Sequence, residues 1–371
     1  MADRFPETSG EPEDRYPLGL AACTSCWLAQ LTEIVPDGLL YGEDYAFFTG
    51  SSPSAVTYFI DYAAQLTRRF DLDDSKFLVE VACNDGTMLA EFECRTLGVE
   101  PASGPAVVAR AKGLSVVNEP FGLDVARRIV ANYGTADVVV ANNVAAHVAD
   151  LDDFFAGMAA LVAPDGVAVV EVQYLADLLT GNQFDHVYHE HRYYFSAASL
   201  SAIMAKHGLR VRTVEHTPAQ GGSIRVAATP AASGRQWMAS EPPWLRQVST
   251  YLGFQGRVDY LRARLLEMLD AEIAAGRKIA GYAASAKSAT LLNFCGLGPD
   301  RIDHIVDTTP SKIGRFAPGS KIPVVGPGER PEPDVYICLA WNYVSGILRR
   351  ERDFLDAGGH FIVPIPYPTL I

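Results

Sequence analysis

The sequence predicts an α/β protein in which two Rossmann-like domains follow a small amino-terminal domain. Its 371 residues exceed what one compact core usually holds, so two or three domains are expected. Between residues 77 and 230, apolar strand segments alternate with helical segments, which is typical of a parallel sheet. A second alternation of this kind begins at residue 278 and runs to the carboxyl end.

Residues 1–70 predict a small domain with a cysteine pair. Residues 1–15 are acidic and proline-rich, and we expect them to be disordered. Short strands and turns follow around Cys23 and Cys26, a CxxC pair that is half of a four-ligand zinc site. Because no second Cys or His pair lies near it in the sequence, we expect this pair to be buried without a metal. The stretch "PSAVTYFIDYAAQLTRRF" then predicts a helix.

Residues 71–235 carry the first α/β alternation. Strand candidates lie in "KFLVEVACNDGTML", "GLSVVNEPF", "ADVVVANNV" and "GVAVVEVQYL", and "DDFFAGMAALVAPDG" is one of the helices between them. The tail "LRVRTVEHTPAQGGSIRVAAT" predicts an antiparallel pair. A linker is predicted at "AASGRQWMASEPP", residues 231–243, so we expect a carboxyl-terminal domain over 236–371 that begins with a long helix.

A nucleoside site is predicted at the turn after the first central strand. Doubly wound sheets bind ligands where such a buried strand ends and a helix begins. The candidates in "VEVACNDG" are Glu80, Ala82, Asn84, Asp85 and Gly86. Glu100 ends the next strand, where a carboxylate usually takes ribose hydroxyls, and its short spacing suits the compact methyltransferase version of this fold. An ordinary strand–helix turn is the alternative.

Further polar residues follow the strand "ADVVVANNV" at the same sheet edge. The side-chain amides of Asn142 and Asn143 are suited to bind a carboxylate, an amide or a ribose there. His147 follows in "AAHV". On this motif alone, a histidine bonded to the backbone on a helix face is the favoured interpretation.

The segment "FDHVYHEHRYYFS", residues 184–196, is dense in proton-handling side chains. If the segment is extended, His189 and His191 share one face, and Tyr188 and Glu190 share the other. A histidine titrates near neutrality, a neighbouring carboxylate fixes its tautomer, and a tyrosine can polarise a carbonyl oxygen. We therefore favour acid/base chemistry. An HxH metal site and a satisfied aromatic–polar cluster are the alternatives.

A small-residue loop, "GYAASAKSATLLN", lies between a strand and a helix at residues 281–293. Lys287 and Ser288 are placed to meet a phosphate at the N-terminus of that helix. Walker A spacing is absent, so nucleotide hydrolysis is not indicated. A well-packed turn is the alternative.

Charge and composition limit the partners. The chain has 31 Lys and Arg against 44 Asp and Glu, a formal net charge of −13, which argues against nucleic acid. The sequence shows neither a charged-then-apolar leader nor an apolar run of membrane-spanning length. The scattered cysteines are typical of a reducing compartment. We expect a soluble, cytoplasmic protein that acts on a small molecule.

The order of these motifs resembles the bacterial SAM-dependent C-methyltransferases that act on nucleotide-linked deoxy sugars. The resemblance covers about residues 16–371 and rests on "VACNDG", "ANNVAAHV", "GNQFDHVYHEHRYYFS", "TPAQGGSIRV" and "GYAASAKSATLLN" with "VDTTPSKIGRF". It implies an amino-terminal domain that caps the substrate, a central class I SAM methyltransferase domain with S-adenosyl-L-methionine (SAM) as cofactor, and a carboxyl-terminal Rossmann-like domain that holds the substrate's nucleotide.

The resemblance also implies residue roles. The active-site candidates that it supplies are His147, Tyr188, Glu190, His191 and, from a "DYxYF"-like segment, Tyr45, with Phe47 as the alternative match. The candidates for the substrate's nucleotide are Lys287, Ser288, Asn293 and Asp307. Family members usually bind zinc through two CxxC pairs, whereas this chain starts just before the second pair. Either the zinc module is degenerate or the chain was shortened. We expect no metal and, in the first case, a remodelled lid over the substrate that could serve an acceptor other than a sugar.

The expected reaction is methylation of the carbon beside a keto group, through an enolate. His191 would remove the proton, with Glu190 orienting the imidazole, while Tyr188 and His147 stabilise the enolate oxygen or position the ring. One alternative is methylation of another electron-rich carbon, such as an indole C-3 in natural-product biosynthesis. The other is a nucleotide-sugar or NAD-binding protein that transfers no methyl group.

Overall fold

The computed structural model describes residues 2–40, 48–230 and 241–371. Tyr45, Phe47 and most of the predicted linker lie outside these residues. Within the described chain, the strands are β1 (Leu20–Ala22), β2 (Ala29–Leu31), β3 (Phe77–Val81), β4 (Arg95–Val99), β5 (Val116–Val117), β6 (Ala136–Asn142), β7 (Val162–Gln173), β8 (Tyr193–Tyr194), β9 (Leu209–Thr217), β10 (Ser223–Pro230), β11 (Ile279–Tyr282), β12 (Ile305–Val306), β13 (Val324–Val325), β14 (Val335–Cys338), β15 (His360–Val363) and β16 (Thr369–Leu370).

The helices described are α1 (Asp37–Leu40), α2 (Pro53–Phe70), α3 (Ser103–Ala111), α4 (Leu123–Tyr133), α5 (Leu151–Leu161), α6 (Leu175–Thr180), α7 (Ala197–Lys206), α8 (Val248–Ala274), α9 (Ala286–Cys295), α10 (Val344–Arg350) and α11 (Arg352–Asp356). Among the residues described, none of these helices combines the length and the hydrophobicity that crossing a bilayer requires.

The central sheet has the order β5-β4-β3-β6-β7-β10-β9. Its first five strands run parallel, and β10 pairs antiparallel with both β7 and β9, so the predicted alternation and antiparallel tail are confirmed. The chain leaves β3 toward β4 on one side, whereas β6 lies on the other side. This reversal opens a crevice at the carboxyl ends of β3 and β6, where doubly wound sheets bind ligands.

Helix α2 has the bounds of the predicted segment. The hydroxyl oxygen of Ser52 accepts a hydrogen bond from the Ala55 amide at 3.4 Å, and Pro53 opens the first turn, as at many helix starts. The buried face of the helix carries Tyr62 and Leu66, which pack against the central sheet. Although it belongs to the first predicted range, α2 therefore covers the central unit.

A buried ion pair fastens α2 to that sheet. Arg225 of β10 donates two hydrogen bonds to Glu171 of β7, at 2.9 and 3.0 Å, and Tyr58 of α2 donates to the same carboxylate. The guanidinium also lies 3.3 Å from the centre of the Tyr62 ring, a cation–π contact. Because Glu171 pairs in register with Asn142, this network lies beside the crevice.

Residues 2–16 pack against the carboxyl-terminal unit, so the prediction that residues 1–15 are disordered is wrong for the described part of that stretch. Phe5 is buried in the same apolar cluster as the core of that unit. Glu13 pairs with Lys321, and Lys312 Nζ lies 3.5 Å from Asp3. The acidic stretch thus meets lysines about 300 residues away in sequence, which composition alone cannot indicate.

The carboxyl-terminal unit contains the second parallel sheet, in the order β13-β12-β11-β14-β15-β16, with only β16 antiparallel among its described strands. Helix α8 packs on it through Val258, Leu261, Leu265 and Leu269, whose spacing of three and four residues forms one helical face. The second predicted α/β alternation is therefore confirmed.

A small sheet joins the amino-terminal residues to the central unit. Its order is β1-β2-β8, and β8 follows directly after the segment 184–192, which we call the YHEH segment. Arg192 ends that segment and donates from Nη2 to the Val35 carbonyl at 2.9 Å. The amino-terminal hairpin therefore lies next to the densest group of proton-handling residues.

Candidate active site

The turn after β3 brings the backbone close to the crevice. Ala82, Asn84 and Gly86 have φ values of 56°, 51° and 73°, in the left-handed region. At Gly86 an added Cβ would lie 2.3 Å from Leu114 Cδ1, so only glycine fits without displacing that side chain. Gly86 thus allows this turn to pack closely against Leu114.

Glu100 braces this turn from the end of β4. Its carboxylate accepts hydrogen bonds from the Asn84 amide at 2.9 Å and from the Ala102 amide at 2.8 Å. The side chain is buried, and burial raises its pKa. Glu100 thus lies at the strand end where a ribose carboxylate is expected, next to the turn.

The crevice also contains buried acceptors that suit a cationic ligand. Glu80 Oε2 and Asn142 Oδ1 have no hydrogen-bond partner among the described residues. Burial, with Glu100 and Asp85 nearby, raises the pKa of Glu80 well above its usual value, because negative charge is concentrated here. SAM carries a sulfonium and an ammonium group, so the residues present fit this cofactor.

Asn84 and Asp85, which we predicted to bind the cofactor, use their side chains to hold a neighbouring part of the chain. Their side-chain oxygens accept hydrogen bonds from the amides of Thr49 and Gly50, each at 2.8 Å. These contacts hold the chain just before α2 against the turn. Asn143, also predicted to bind the cofactor, has a φ of 54° and donates its backbone N–H to the Glu171 carbonyl at 2.8 Å.

The YHEH segment is a pair of turns, so the extended conformation predicted for it is wrong. Residues Phe184–His186 form a 3-10 turn, and the His191 amide donates to the Tyr188 carbonyl at 2.9 Å. This i to i+3 bond brings Tyr188 and His191 onto the same side. Their side chains, predicted to lie on opposite faces, meet with 2.8 Å between the Tyr188 hydroxyl oxygen and His191 Nε2.

The contacts of His191 determine its tautomer. Nδ1 lies 2.9 Å from the His186 carbonyl, which only accepts, so Nδ1 carries the proton. In the neutral ring Nε2 then accepts from the Tyr188 hydroxyl. Burial, with His147 nearby, lowers the pKa of His191 well below its usual value, which keeps the ring neutral at pH 7.

His147 lies against His191, with ring centres 4.8 Å apart. Burial, together with the charge of Arg192, lowers the pKa of His147 to about 4. The histidine that the motif alone assigned to a helix face therefore lies, as a neutral ring, against His191.

Glu190 does not orient His191, contrary to the prediction. The two ring nitrogens of His191 hydrogen bond to the His186 carbonyl and the Tyr188 hydroxyl. The carboxyl of Glu190 is instead buried with Asp3 and Lys312 as its charged neighbours, and burial followed by Asp3 raises its pKa to about 8. Glu190 is therefore mainly protonated at neutral pH. The backbone carbonyl of His186 orients the His191 imidazole instead.

Two residues that we did not single out complete the segment. Asp185 Oδ2 accepts from the Trp341 indole N–H at 2.7 Å, and the Gln173 amide donates to His186 Nδ1 at 2.6 Å. Asp185 Oδ1 and His186 Nε2 are buried without a hydrogen-bond partner among the described residues. Their position in the same dense segment was the available sequence signal.

Lys287 joins this group from the first turn of α9. It is buried, and burial lowers its pKa while the nearby carboxylate of Asp185 opposes that effect. Ser288, predicted beside it as a ligand, instead uses its amide and its hydroxyl in the helix cap with Ser285. Lys287 therefore approaches the YHEH segment, whereas Ser288 stabilises the helix start.

Asp307 repeats in the carboxyl-terminal unit the arrangement of Glu100. It ends β12, and its carboxylate accepts from the Ala284 amide at 2.6 Å and the Thr309 amide at 2.7 Å. In both sheets a carboxylate at the end of the second strand thus braces the turn after the first strand. Asn293 has a structural role, since its Nδ2 donates to the carbonyls of Ala289 and Pro318.

The CxxC pair does not form a metal site with the other described residues. Cys23 and Cys26 are both exposed, so the prediction of a buried pair is wrong. No group of three or more His, Cys, Asp or Glu within 2–40, 48–230 and 241–371 is placed to hold a metal ion, and a closed zinc site does not fit these residues.

Family models and a curated relative match most of the chain. A "Methyltransferase domain" model matches residues 57–214, a "C-methyltransferase C-terminal domain" model matches 218–366, and a "Putative zinc binding domain" model matches 1–41. The C-methyltransferase NovU of Streptomyces niveus is 37% identical over 372 residues, which cover 97% of this chain and 88% of that protein.

Solved methyltransferase structures match the chain more distantly. The SAM-bound magnesium protoporphyrin IX methyltransferase of Synechocystis PCC 6803 is 14% identical, with a TM-score of 0.36 over 47% of this chain and 79% of its own. A possible histamine N-methyltransferase of Thermotoga maritima is 17% identical, with a TM-score of 0.37 over 47% and 88%. From the family models and the NovU relative, the chain belongs to the SAM-dependent C-methyltransferases, and its cofactor is SAM.

Proposed function

We propose that the enzyme methylates the carbon beside the keto group of a nucleotide-linked deoxy sugar. The observation that carries this proposal is the pairing of the half-buried Tyr188 hydroxyl with Nε2 of the buried His191, 2.8 Å apart. A carbon nucleophile must first lose a proton, and the hydrogen beside a carbonyl is acidic because the resulting carbanion is an enolate. A neutral imidazole that already receives a hydroxyl hydrogen bond is suited to accept that proton.

The two side chains act as one base. The substrate C–H bond breaks and its proton passes to the Tyr188 oxygen, while the tyrosine proton moves to His191 Nε2. The electron pair of the broken C–H bond forms the enolate. His147 lies close enough to the His191 ring to help position this enolate. SAM supplies the electrophilic methyl group, to which the new carbon–carbon bond forms.

Asp307 supports a nucleotide as the part of the substrate that the carboxyl-terminal unit holds. It ends the second strand of its sheet and braces the preceding turn through two amides, as Glu100 does at the cofactor crevice. A strand-end carboxylate of this kind commonly takes ribose hydroxyls. Lys287, on the helix that follows that turn, supplies positive charge between the nucleotide and the YHEH segment.

Two unpartnered buried atoms support a hydroxylated substrate. Within the described residues Asp185 Oδ1 is an unsatisfied acceptor. His186 Nε2 is an unsatisfied donor, because its Nδ1 accepts from Gln173. A sugar hydroxyl both donates and accepts, so it satisfies such a pair.

We further propose a role for each predicted domain. Residues 1–70, with Tyr45, cap the substrate, residues 71–235 bind SAM, and residues 236–371 bind the substrate. We also propose that the enzyme is located in the cytoplasm.

A crossed binding experiment tests the assignment of the two carboxylates. SAM and thymidine diphosphate are titrated by calorimetry into the wild type, Glu100→Gln and Asp307→Asn. We expect Glu100→Gln to weaken only SAM and Asp307→Asn to weaken only the nucleotide, each by about tenfold or more for a lost charged hydrogen bond. Melting curves establish that both variants are folded.

Failure of the nucleotide to bind the wild type would contradict the sugar proposal. SAM binding alone would then indicate a different electron-rich carbon acceptor, such as an indole C-3. Weakening of the nucleotide by Glu100→Gln would show instead that the two crevices are assigned the wrong way round.

A further inference from the structure

The YHEH segment is held from outside the central unit. Thr290 of α9 donates its hydroxyl to the Val187 carbonyl at 3.0 Å, and Asn182, just before the segment, donates to the Pro366 carbonyl at 3.2 Å. Arg257 of α8 donates to Asn182 Oδ1 at 3.0 Å. The carboxyl-terminal unit therefore sets the position of the residues proposed as the base.

A shorter link from the carboxyl-terminal unit holds Asp185, the residue before the carbonyl that orients His191. The Trp341 indole N–H donates to Asp185 Oδ2 at 2.7 Å, and both side chains are buried. The next residue, His186, supplies the carbonyl that accepts from His191 Nδ1. The His186 ring also packs edge-on against Trp341, with centres 5.8 Å apart. Two contacts from one tryptophan thus define where this carbonyl points.

We propose that Trp341 is a positioning residue for methyl transfer, which acts through Asp185 and the His186 carbonyl to hold His191 in the tautomer that accepts a proton at Nε2. The proposal rests on the proposed role of His191 as the base. Trp341 lies just after β14, at the carboxyl end of the substrate-side sheet. The unit assigned to the nucleotide thereby also aligns the base.

Steady-state kinetics of Trp341→Phe test the proposal. This change keeps an aromatic ring but removes the N–H donor, and we expect kcat to fall by about tenfold through misalignment of the base. SAM affinity is expected to remain normal, because the cofactor crevice lies on other loops. Tyr282→Phe is the matched control, since it removes another aromatic-to-carboxylate bond of the same unit, to Glu351, and should leave kcat unchanged.

A double-mutant cycle distinguishes positioning from general loosening of the fold. Asp185→Ala alone should lower kcat by at least as much, because it removes the acceptor of the indole N–H and also the oxygen proposed for a substrate hydroxyl. The double variant should be no slower than Asp185→Ala, because both changes break one link. A double variant in which the two kcat losses multiply would overturn the proposal. So would a folded Trp341→Phe enzyme with normal kcat, or a Tyr282→Phe enzyme as slow as Trp341→Phe.

The tautomer itself is measured by NMR of the enzyme with ¹⁵N-labelled histidine. We expect His191 to carry its proton on Nδ1 in the wild type and to populate both tautomers in Trp341→Phe; an unchanged tautomer would contradict the proposed path. His191→Asn is assayed in parallel to separate the two hypotheses. If it stays active, the base assignment fails. If it is inactive while Trp341→Phe is normal, only the positioning role fails.

Discussion

The Tyr188 hydroxyl lies 2.8 Å from His191 Nε2, while His191 Nδ1 lies 2.9 Å from the His186 carbonyl. The imidazole is therefore held at both nitrogens, with its only accepting position directed at the tyrosine. A proton that reaches the Tyr188 oxygen has a direct path to the ring. We therefore expect the pair to act as one base, and the first prediction concerns its two members together.

Replacing either member of the pair should remove most of the activity. His191→Asn keeps hydrogen-bonding capacity but cannot take the proton, and Tyr188→Phe breaks the path to Nε2. Turnover in each variant should fall by about 100-fold or more, the usual scale for losing a general base. The assay is methyl transfer with a melting curve and a SAM titration, and SAM affinity should be unchanged.

The double variant distinguishes the shared base from two separate roles. If the pair acts as one unit, His191→Asn with Tyr188→Phe should be no slower than the slower single variant. Losses that multiply would mean that Tyr188 acts on the substrate independently. Activity that merely follows the folded fraction would assign both residues to structure.

The second prediction concerns Glu190 and pH. Burial, followed by Asp3, raises its pKa to about 8, against roughly 4.3 for an unfolded glutamate. Between these values the folded chain binds one more proton than the unfolded chain at this site, so its stability contribution is full below the lower pKa and is lost as pH rises to the upper one. Glu190→Gln removes this loss, and its Tm should exceed that of the wild type increasingly from pH 5 to pH 8.

The control is Glu93→Gln, the same chemical change at an exposed position. Its effect on Tm should be equal at pH 5 and pH 8. A Tm difference for Glu190→Gln that stays constant from pH 5 to pH 8 would show that the folded protein keeps this carboxyl ionised.

The third prediction concerns the turn that approaches the cofactor. Gly86→Ala places a Cβ 2.3 Å from Leu114 Cδ1 at a φ of 73°, and we expect it to lower the free energy of unfolding by about 2–4 kcal/mol and to weaken SAM binding. Gly113→Ala is the matched control, with a φ of 85° and open space around the new Cβ, and should cost only about 1 kcal/mol. Denaturant unfolding measures the stability of the two variants, and SAM titration measures their cofactor affinity. If Gly86→Ala and Gly113→Ala lose the same amount of stability, the clash with Leu114 is not the cause.

The fourth prediction concerns the thiols. Cys23 and Cys26 are exposed, and hydrogen bonds from the Cys26 and Ser25 backbone lower the pKa of Cys23, so these two should react quickly with a chromogenic disulfide reagent. The buried cysteines should react only after unfolding. We also expect elemental analysis to find less than one zinc per chain. Slow reaction of the pair, with stoichiometric zinc, would reveal ligands beyond those described.

Local signals predicted the elements that depend on local chemistry. Helix α2 matches its predicted bounds because Ser52 and Pro53 mark its start and its buried face is set by nearby residues. The central strands β3 and β14 are mostly apolar runs, a pattern that predicts burial, with Glu80 as the charged residue of β3. The turn at Gly86 was also predictable from a local signal, because glycine favours the left-handed backbone conformation that this turn adopts.

The predictions that proved wrong depended on contacts between residues that are far apart in the sequence. The YHEH segment folds as turns while Thr290 and Trp341 hold it, and neither residue is near it in sequence. Residues 2–16 are ordered by lysines of the carboxyl-terminal unit. Residue types alone therefore predicted where proton-handling side chains gather, whereas the partner of each nitrogen of His191 depended on the tertiary fold.

The path of the first residues has a mechanical consequence. Residues 2–16 lie on the carboxyl-terminal unit, and the chain then reaches the central unit, where the Pro17 carbonyl lies 3.1 Å from His189 Nε2. Helix α8 makes the return connection between the same two units. Together with the hydrogen bonds that Thr290 and Trp341 make to the YHEH segment, these two connections join the units at several separate places. Unfolding of one unit would therefore strip buried contacts from the other, and we expect the two units to unfold in one cooperative transition.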